Sequence, residues 1–300
     1  MFEKLFARRG LSIDRLRVLC EVAEAGGIAK AAGSDPARQS QFSRQLSELE
    51  EFFEVALTRR QGKGLALTEA GKELAVIARE SIGRLEDFQQ RSMNQPLSFS
   101  IGAGDSLVQW LVLPRLARLH GELRNVSLRV QNLQTAEITN RLHDLSLDFG
   151  IVRRDAVSAP LEAFALGKME YALFCPKRLS GEPPDLRRVC ESLPFAMQSG
   201  DGVFTRQFRA WAEKSRLRIS TKIECDSFPQ ASRALCSGEF ATVLPKIARC
   251  DLPADSYWEL EVPALNKKPR AVCLAWNPRT IRLRSAAAEV ADQLKQALKF

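Results

Sequence analysis

Apolar residues recur at helical spacing through the first third of the chain and at strand spacing afterwards. Leu16, Leu19, Cys20 and Ala23 follow the i, i+3, i+4, i+7 spacing of a helix burying one face, and Gly26-Gly27 ends it. Ile28 to Ala32 predicts a short second helix closed by Gly33-Ser34. Asp35-Pro36 signals a third: Asp accepts from free backbone N–H groups, and Pro suits the first helical position, where no N–H is needed. That helix continues through Phe42, Leu46, Leu49, Phe52 and Phe53. Three short helices, the second and third joined by a tight turn, make a helix-turn-helix. Leu57 to Leu67 predicts a hairpin turning at Gln61-Gly62-Lys63-Gly64, the wing of a winged helix. A long helix follows from Thr68 to about Arg91, with Leu74, Ile77, Ala78, Leu85 and Phe88 along one stripe. An exposed helix with such a stripe needs a partner, and a second copy of itself is the simplest.

Met93-Asn94-Gln95-Pro96 breaks this helix, and the grammar then changes to alternating strands and helices. Strands are expected at Leu97–Ala103, Val126–Asn132, Leu147–Val152, Tyr171–Cys175, Phe195–Gln198, Ser220–Cys225, Ala241–Leu244 and Arg270–Ala275. Helices are expected at Ser106–His120, Ala136–His143, Thr205–Ser215, Gln230–Ser237 and Ser285–Leu298. Such alternation predicts mostly parallel sheets with helices on both faces. About 200 residues suffice for two small α/β lobes, with crossings near Ala159–Gly167 and Pro263–Pro269.

Composition narrows the class. The 300 residues are 45% hydrophobic and 27% charged, an ordinary globular balance, and no apolar run approaches the ~20 residues that cross a bilayer. The opening MFEKLFARRG is basic without the apolar stretch export requires, so a cytoplasmic location with reduced thiols is expected. Net charge is +8, which makes nucleic acid the first partner to test. The excess lies elsewhere, however: residues 1–95 hold 15 Lys+Arg against 14 Asp+Glu, and residues 96–300 hold 29 against 22. DNA affinity must therefore come from how basic residues cluster, and the basic second part predicts an anionic effector.

Ala31-Ala32, Gln39, Phe42-Ser43-Arg44-Gln45-Leu46, Leu49-Glu50, Arg60, Gly62-Lys63 and Leu67-Thr68-Glu69-Ala70-Gly71 stand in the order and spacing of one family. In these residues the chain resembles the LysR-type transcriptional regulators. Ile101-Gly102-Ala103-Gly104, Ser106, Trp110-Leu111, Pro114-Arg115-Leu116 and Leu147-Asp148-Phe149-Gly150-Ile151 are similar to the family's effector domain. The resemblance implies an α+β multidomain fold: an N-terminal winged helix-turn-helix (1–67, with 1–10 as an extension), a linker and dimerisation helix (68–92), and a two-lobed periplasmic-binding-like effector domain (97–300). Lobe I is expected at about 97–160 and 268–300, lobe II at about 165–263. It also implies promoter DNA, a small-molecule effector, self-association into a dimer or tetramer, and RNA polymerase as partners, with no cofactor and no enzymatic activity. The family usually carries Leu, Ser and Pro where this chain has Asp35, Arg38 and Ser40, so Asp35-Pro36 is expected to start the recognition helix one turn early.

Residues near the N-terminus of a helix in the major groove meet base edges, where Gln bonds adenine and Arg bonds guanine. Gln39, Gln41 and Arg44, with Ser40 and Ser43, supply that chemistry, while Arg38, Arg60 and Lys63 suit phosphate contacts. The competing reading of these residues is a solvated polar face. In the second part, Gly102 and Gly104 would let backbone approach a ligand, and Gly104, Asp105 and Ser106 open a helix whose free N–H groups suit a carboxylate. Ser106 either contacts the effector, as the resemblance implies, or caps its helix. Gln198-Ser199-Gly200-Asp201-Gly202 should face the same ligand from the other lobe, with Ser227, Phe204 and Phe228 as weaker candidates and Phe228 more suited to the core.

Other chemistries find little support. Leu107 stands where a dinucleotide fingerprint needs a third Gly, and Gly62-Lys63 lacks the Ser/Thr of a P-loop. His120 and His143 have no metal or triad spacing, and Cys20, Cys175, Cys190, Cys225, Cys236, Cys250 and Cys273 form no C-x-x-C pair. Two alternatives stay open: a thiol-redox regulator of the same fold switching through Cys225 and Cys236, and a solute-binding protein sharing the two-lobed architecture.

Overall fold

The computed structural model describes residues 3–6, 9–33, 35–62, 64–180, 182, 184–200, 203–253, 255–267 and 269–300. After a short helix α1 (Glu3–Phe6) come α2 (Ile13–Ala25), α3 (Ile28–Ala32) and α4 (Pro36–Phe53). Helix α2 is capped by Ser12 and ends at Gly26, whose N–H closes onto the Ala23 and Val22 carbonyls. Asp35 caps α4 as its sequence predicts, accepting from the N–H groups of Ala37 and Arg38 at 2.9 and 3.3 Å, so the recognition helix does begin at Pro36. Val18, Leu19, Val22, Ile28, Phe42, Leu46 and Leu49 bury together between the three helices.

Strands β1 (Thr58–Gln61) and β2 (Gly64–Leu67) form the antiparallel wing. Glu50 fastens it to α4, accepting from the Leu57 and Thr58 N–H groups at 2.8 Å each and from the Thr58 hydroxyl at 2.9 Å. Helix α5 (Glu69–Ser92), capped by Thr68, crosses so close to the wing that a Cβ on Gly71 would lie 2.2 Å from the Leu57 carbonyl oxygen. Only glycine fits there. The predicted apolar stripe of α5 divides. Ala75 and Ala78 are buried, whereas Ile77, Leu85 and Phe88 stand exposed at 46%, 53% and 63%.

Beyond the linker, β3 (Leu97–Ala103) leads into α6 (Asp105–Leu107), which runs through a π-helical turn and a 3₁₀ turn into α7 (Leu116–Glu122). Pro114 offers no N–H to an α-helical ladder, which accounts for the irregular middle. Next come β4 (Val126–Asn132), α8 (Thr135–His143), β5 (Phe149–Arg153), β6 (Glu162–Met169), β7 (Tyr171–Pro176), α9 (Lys177–Ser180) and α10 (Leu186–Ser192). The chain continues through β8 (Pro194–Gln198), α11 (Val203–Lys214), β9 (Ser220–Cys225), α12 (Phe228–Cys236), β10 (Thr242–Pro245) and β11 (Tyr257–Glu261). It closes with α13 (Pro263–Asn266), β12 (Arg270–Trp276), α14 (Pro278–Leu283) and α15 (Ala287–Ala297).

The first lobe holds a sheet in the order β4-β3-β5-β12-β6, and the second holds β10-β7-β11 and β8-β9, linked by a bridge from Phe195 to Ala241. The sheets are mixed, not mostly parallel. β3 pairs parallel with β4 and β5, and β8 with β9, whereas β12 runs antiparallel to both its neighbours, as does β7. β12 returns from the second lobe and therefore enters the first sheet from its opposite end. β6 pairs with β12, so the first passage between sheets falls at Glu170 rather than within Ala159–Gly167. Asp251, beyond β10, accepts from Trp110 Nε1 at 3.3 Å and Gln109 Nε2 at 3.2 Å and ties the second lobe to the first.

Candidate functional sites

Two concave sites emerge, one on each part of the chain. Gln39, Ser40, Ser43, Arg44 and Ser47 of α4 face Arg60, Gly62, Gly64 and Leu65 of the wing across a groove of about 810 Å³. Residues i, i+4 and i+8 share a helix face, and Gln39, Ser43 and Ser47 form that stripe. The Arg44 side chain is 83% exposed and only loosely engaged by Glu48 at 3.3 Å, so it is available to a ligand. Glu48 is held mainly by Arg15, which keeps its carboxyl below the usual range and its charge in place.

Arg38 and Gln41 lie on a different face of α4. They line a separate depression with Glu21 and Phe42; Arg38 pairs with Glu21 at 3.1 Å and rests over the Phe42 ring at 5.0 Å. The Arg38 charge is thus partly spent within the domain, and about 100° of helical rotation separates it from Gln39 and the groove. Lys63 lies outside the described residues.

The second site is a cleft of about 1180 Å³ between the lobes. Gly104, Asp105 and Ser106 line it from lobe I, and Gln198, Asp226, Ser227, Phe204 and Phe228 from lobe II. Gly104, not Ser106, occupies the cap position of α6, and among the described residues the Ser106 hydroxyl has no hydrogen-bond partner. Capping is therefore performed without Ser106, whose hydroxyl is free for a ligand. Ser227 does cap α12, accepting from the Gln230 N–H at 3.4 Å. Ser199 is set behind the cleft wall, where its hydroxyl donates to Asp226 at 3.4 Å; Asp201 and Gly202 lie outside the described residues. Gly102 is a packing residue: a Cβ there would meet Leu147, Leu133 and Ile138 at 2.9–3.3 Å. At Gly104 the space is open.

Sequence reasoning missed two guanidinium groups at the cleft, Arg153 at the end of β5 and Arg270 at the start of β12. Arg153 stands opposite Val272, so Arg153 and Arg270 are diagonal neighbours on one sheet face, a spacing of about 7–8 Å between Cα atoms. Arg270 also rests 5.7 Å from the Tyr171 ring centroid. The available signal was positional: each Arg adjoins an apolar run at a strand end, and ligands of open α/β sheets bind outside strand ends. Gln134 and Thr135, at the start of α8, complete the lobe I wall.

The thiols offer no switch of this kind. Burial pushes the thiols of Cys175, Cys225 and Cys273 up, that of Cys20 to about 11 and that of Cys190 to about 12. Cys225 and Cys236 flank opposite ends of α12, whose nine residues span about 13 Å, far beyond disulfide reach while the helix stands. Among the described residues no group of three or more His, Cys, Asp or Glu could hold a metal ion. No described helix is long and apolar enough to cross a membrane.

A winged helix joined by a long helix to a two-lobed, cleft-bearing domain defines a ligand-responsive DNA-binding regulator. Residues 13–72 match the bacterial regulatory helix-turn-helix protein model of the lysR family, and residues 97–299 match the LysR substrate binding domain model. The chain belongs to the LysR-type transcriptional regulators, which are regulators rather than enzymes. The helix-turn-helix match removes the solute-binding alternative. Among its relatives, the nitrogen assimilation regulatory protein nac of Klebsiella aerogenes is 26% identical over 245 residues, covering 79% of each chain. The IlvY regulator of Escherichia coli is 26% identical over 219 residues, 69% of this chain and 72% of that one. Among solved structures, full-length OxyR from Pseudomonas aeruginosa aligns with a TM-score of 0.64 at 15% identity, over 97% and 95% of the two chains. DarR of Vibrio fischeri, solved in complex with DNA, aligns with a TM-score of 0.56 at 17% identity over 96% and 99%.

Proposed function

We propose that this regulator reads its promoter through Gln39, Ser40, Ser43 and Arg44 in the major groove, while Arg60 and the wing residue Lys63 engage phosphates. The observation that carries the reading is the groove in which the first four residues face Arg60. Gln and Arg on one helix face can specify adenine and guanine, and the wing arginine adds affinity without sequence information. Arg38 serves as a secondary phosphate contact, since Glu21 already competes for it.

The exposed Ile77, Leu85 and Phe88 of α5 support a dimer formed through the linker helices, giving two recognition helices for half-sites a whole number of helical turns apart. Pairing of such dimers into a tetramer, contact with RNA polymerase and a cytoplasmic location belong to the same reading. The effector occupies the cleft, with a carboxylate or similar anionic group at Arg153 and Arg270 and polar contacts to Gly104, Asp105, Ser106, Gln198 and Ser227; Ser199 acts from behind through Asp226. A ligand that prefers one arrangement of the lobes shifts the population of DNA-bound states.

Footprinting on the upstream and neighbouring promoters, at moderate salt, tests the DNA arm. A discrete protected region that fades in the Arg44→Ala variant is expected. Binding indifferent to sequence, with the same salt dependence in both proteins, would overturn it.

A further inference from the structure

The +7 excess of residues 96–300 argues for an anionic effector only if the excess reaches the cleft, and it does not. Much of it sits at exposed positions of lobe II outside the cleft lining, at Arg188, Lys214, Arg216, Arg218 and Lys222. The ionisable side chains at the cleft are Arg153, Arg270, Asp105, Glu137 and Asp226. Glu137 is paired with Arg141 at 2.8 Å, and Arg153 is held only loosely by the exposed Asp155 at 3.5 Å, which leaves two cations and two unpaired anions facing the ligand.

Those four divide by position. The arginines occupy neighbouring strands of lobe I, β5 and β12. The two carboxylates belong to a matched pair of Asp-Ser steps, each following a strand that pairs in parallel: Asp105-Ser106 after β3 and Asp226-Ser227 after β9. Neither carboxylate is neutralised. Asp226 receives a single long bond from Ser199 at 3.4 Å, and among the described residues Asp105 has no ion-pair or hydrogen-bond partner. A purely anionic ligand would face two uncompensated carboxylates across the cleft, a like-charge arrangement that interfaces avoid. A simple amine would meet the two guanidinium groups instead. Phe204, stacked on Tyr171 at 4.6 Å and edge-on to Phe228 at 5.0 Å, gives the wall an apolar stretch.

We infer that the effector is a zwitterionic amino acid with an apolar body: its carboxylate is held by Arg153 and Arg270, its ammonium by Asp105 and Asp226 from opposite lobes, and its body by Phe204 and Phe228. This rests on the effector reading of the cleft given above and specifies the ligand class for it. Because the carboxylates come from different lobes, an ammonium between them draws the lobes together, whereas the carboxylate contact alone involves only strands of lobe I.

The test is thermal shift and calorimetry on the full-length protein with the standard amino acids and 6-aminohexanoate, each beside its deaminated and decarboxylated analogue. The analogue pairs include 3-phenylpropanoate and 2-phenylethylamine for phenylalanine, 4-methylpentanoate and 3-methylbutylamine for leucine, and hexanoate and hexylamine for 6-aminohexanoate. At least one amino acid should raise the melting temperature while neither of its analogues does. Asp105→Asn and Asp226→Asn, with unliganded melting temperatures matching the parent, should each weaken that binding about tenfold, the scale of one charge-assisted hydrogen bond. Equal affinity for an amino acid and its deaminated analogue would overturn the inference, as would no response to any amino acid. In either case, stabilisation by a plain carboxylate such as succinate or benzoate that is lost in Arg270→Gln leaves the cleft as the effector site. Failure of every compound, with DNA binding unaffected, removes both.

Discussion

Arg284 grips Asp87 with two nitrogens, Nε at 3.0 Å and Nη2 at 2.8 Å, and so fastens the linker helix to lobe I. Asp87 is 1% exposed although it lies on α5, and it accepts from the Ser285 N–H at 3.0 Å as well. Arg284 is itself oriented by Asp148 at 2.9 Å, the Ser98 carbonyl at 2.8 Å and the Phe99 ring at 4.6 Å. Substituting Asp87 by Ala leaves a guanidinium largely enclosed with half its partners gone. Chemical denaturation should show a loss of about 3 kcal/mol, the scale of a broken buried ion pair. A loss within the range of an exposed pair, below ~1 kcal/mol, would show that solvent replaces Asp87.

Glu50 makes the corresponding attachment between recognition helix and wing. Glu50→Ala removes three acceptor contacts at once, at about 1 kcal/mol each. The expected result is a destabilised DNA-binding domain, with promoter affinity falling although no base-facing side chain has changed. Full affinity in a gel-shift titration would show that Gly71 against Leu57 positions the wing unaided.

The groove predicts a division among arginines. Arg44→Ala should weaken promoter binding by about 1–3 kcal/mol and relax preference at one base position, whereas Arg60→Ala should weaken all sequences alike and lower the salt slope by about 1. Arg38→Ala should cost less than either, because Glu21 holds that guanidinium in the free protein. A loss for Arg38→Ala exceeding that for Arg60→Ala would mean that Arg38 leaves Glu21 on DNA.

The residues that were legible in the sequence are those whose roles are set by neighbours in the chain. Asp35-Pro36, Gly26 and Thr68 mark helix ends through local hydrogen bonds, and the helix, hairpin and strand positions around them follow. β6 and β11 escaped for different reasons: β6 is a half-exposed edge strand without alternation, and β11 offers only the four-residue alternation Trp258-Glu259-Leu260-Glu261 with no buried position. The cleft was half legible. Ser106 announces itself as a helix start and Ser227 is legible as a weaker candidate, but Arg153 and Arg270, 117 positions apart in the chain, are brought together by register across β5 and β12. Likewise, nothing near Asp87 forecasts that an acidic residue on a long helix will be buried, since its partner comes from residue 284.

The thiols carry a pH prediction. In the fold, burial raises the Cys20 thiol to about 11 and the Cys190 thiol to about 12, while in the unfolded chain both ionise near their ordinary value of about 9. Between those values the native state binds more protons than the unfolded state, so stability falls as pH rises above about 9. Denaturation midpoints should be flat from pH 7 to about 8.5 and decline beyond it, and Cys190→Ala should flatten part of the decline. Rapid alkylation of Cys190 by iodoacetamide at neutral pH would contradict the burial that raises it.

Helix α8 has its first turns at the cleft, through Thr135, Glu137 and Thr139, and its last turn against the DNA-binding domain, where Arg141 meets Glu24 of α2 at 3.1 Å. The same Arg141 is held by Glu137 at 2.8 Å. Occupancy of the cleft therefore lies two ion pairs and nine residues, about 13 Å of helix, from the body that carries α4. Measured along this line, sensor and reader are adjacent parts of one machine face, although 62 residues of chain separate the end of the winged-helix match at 72 from the start of α8 at Thr135.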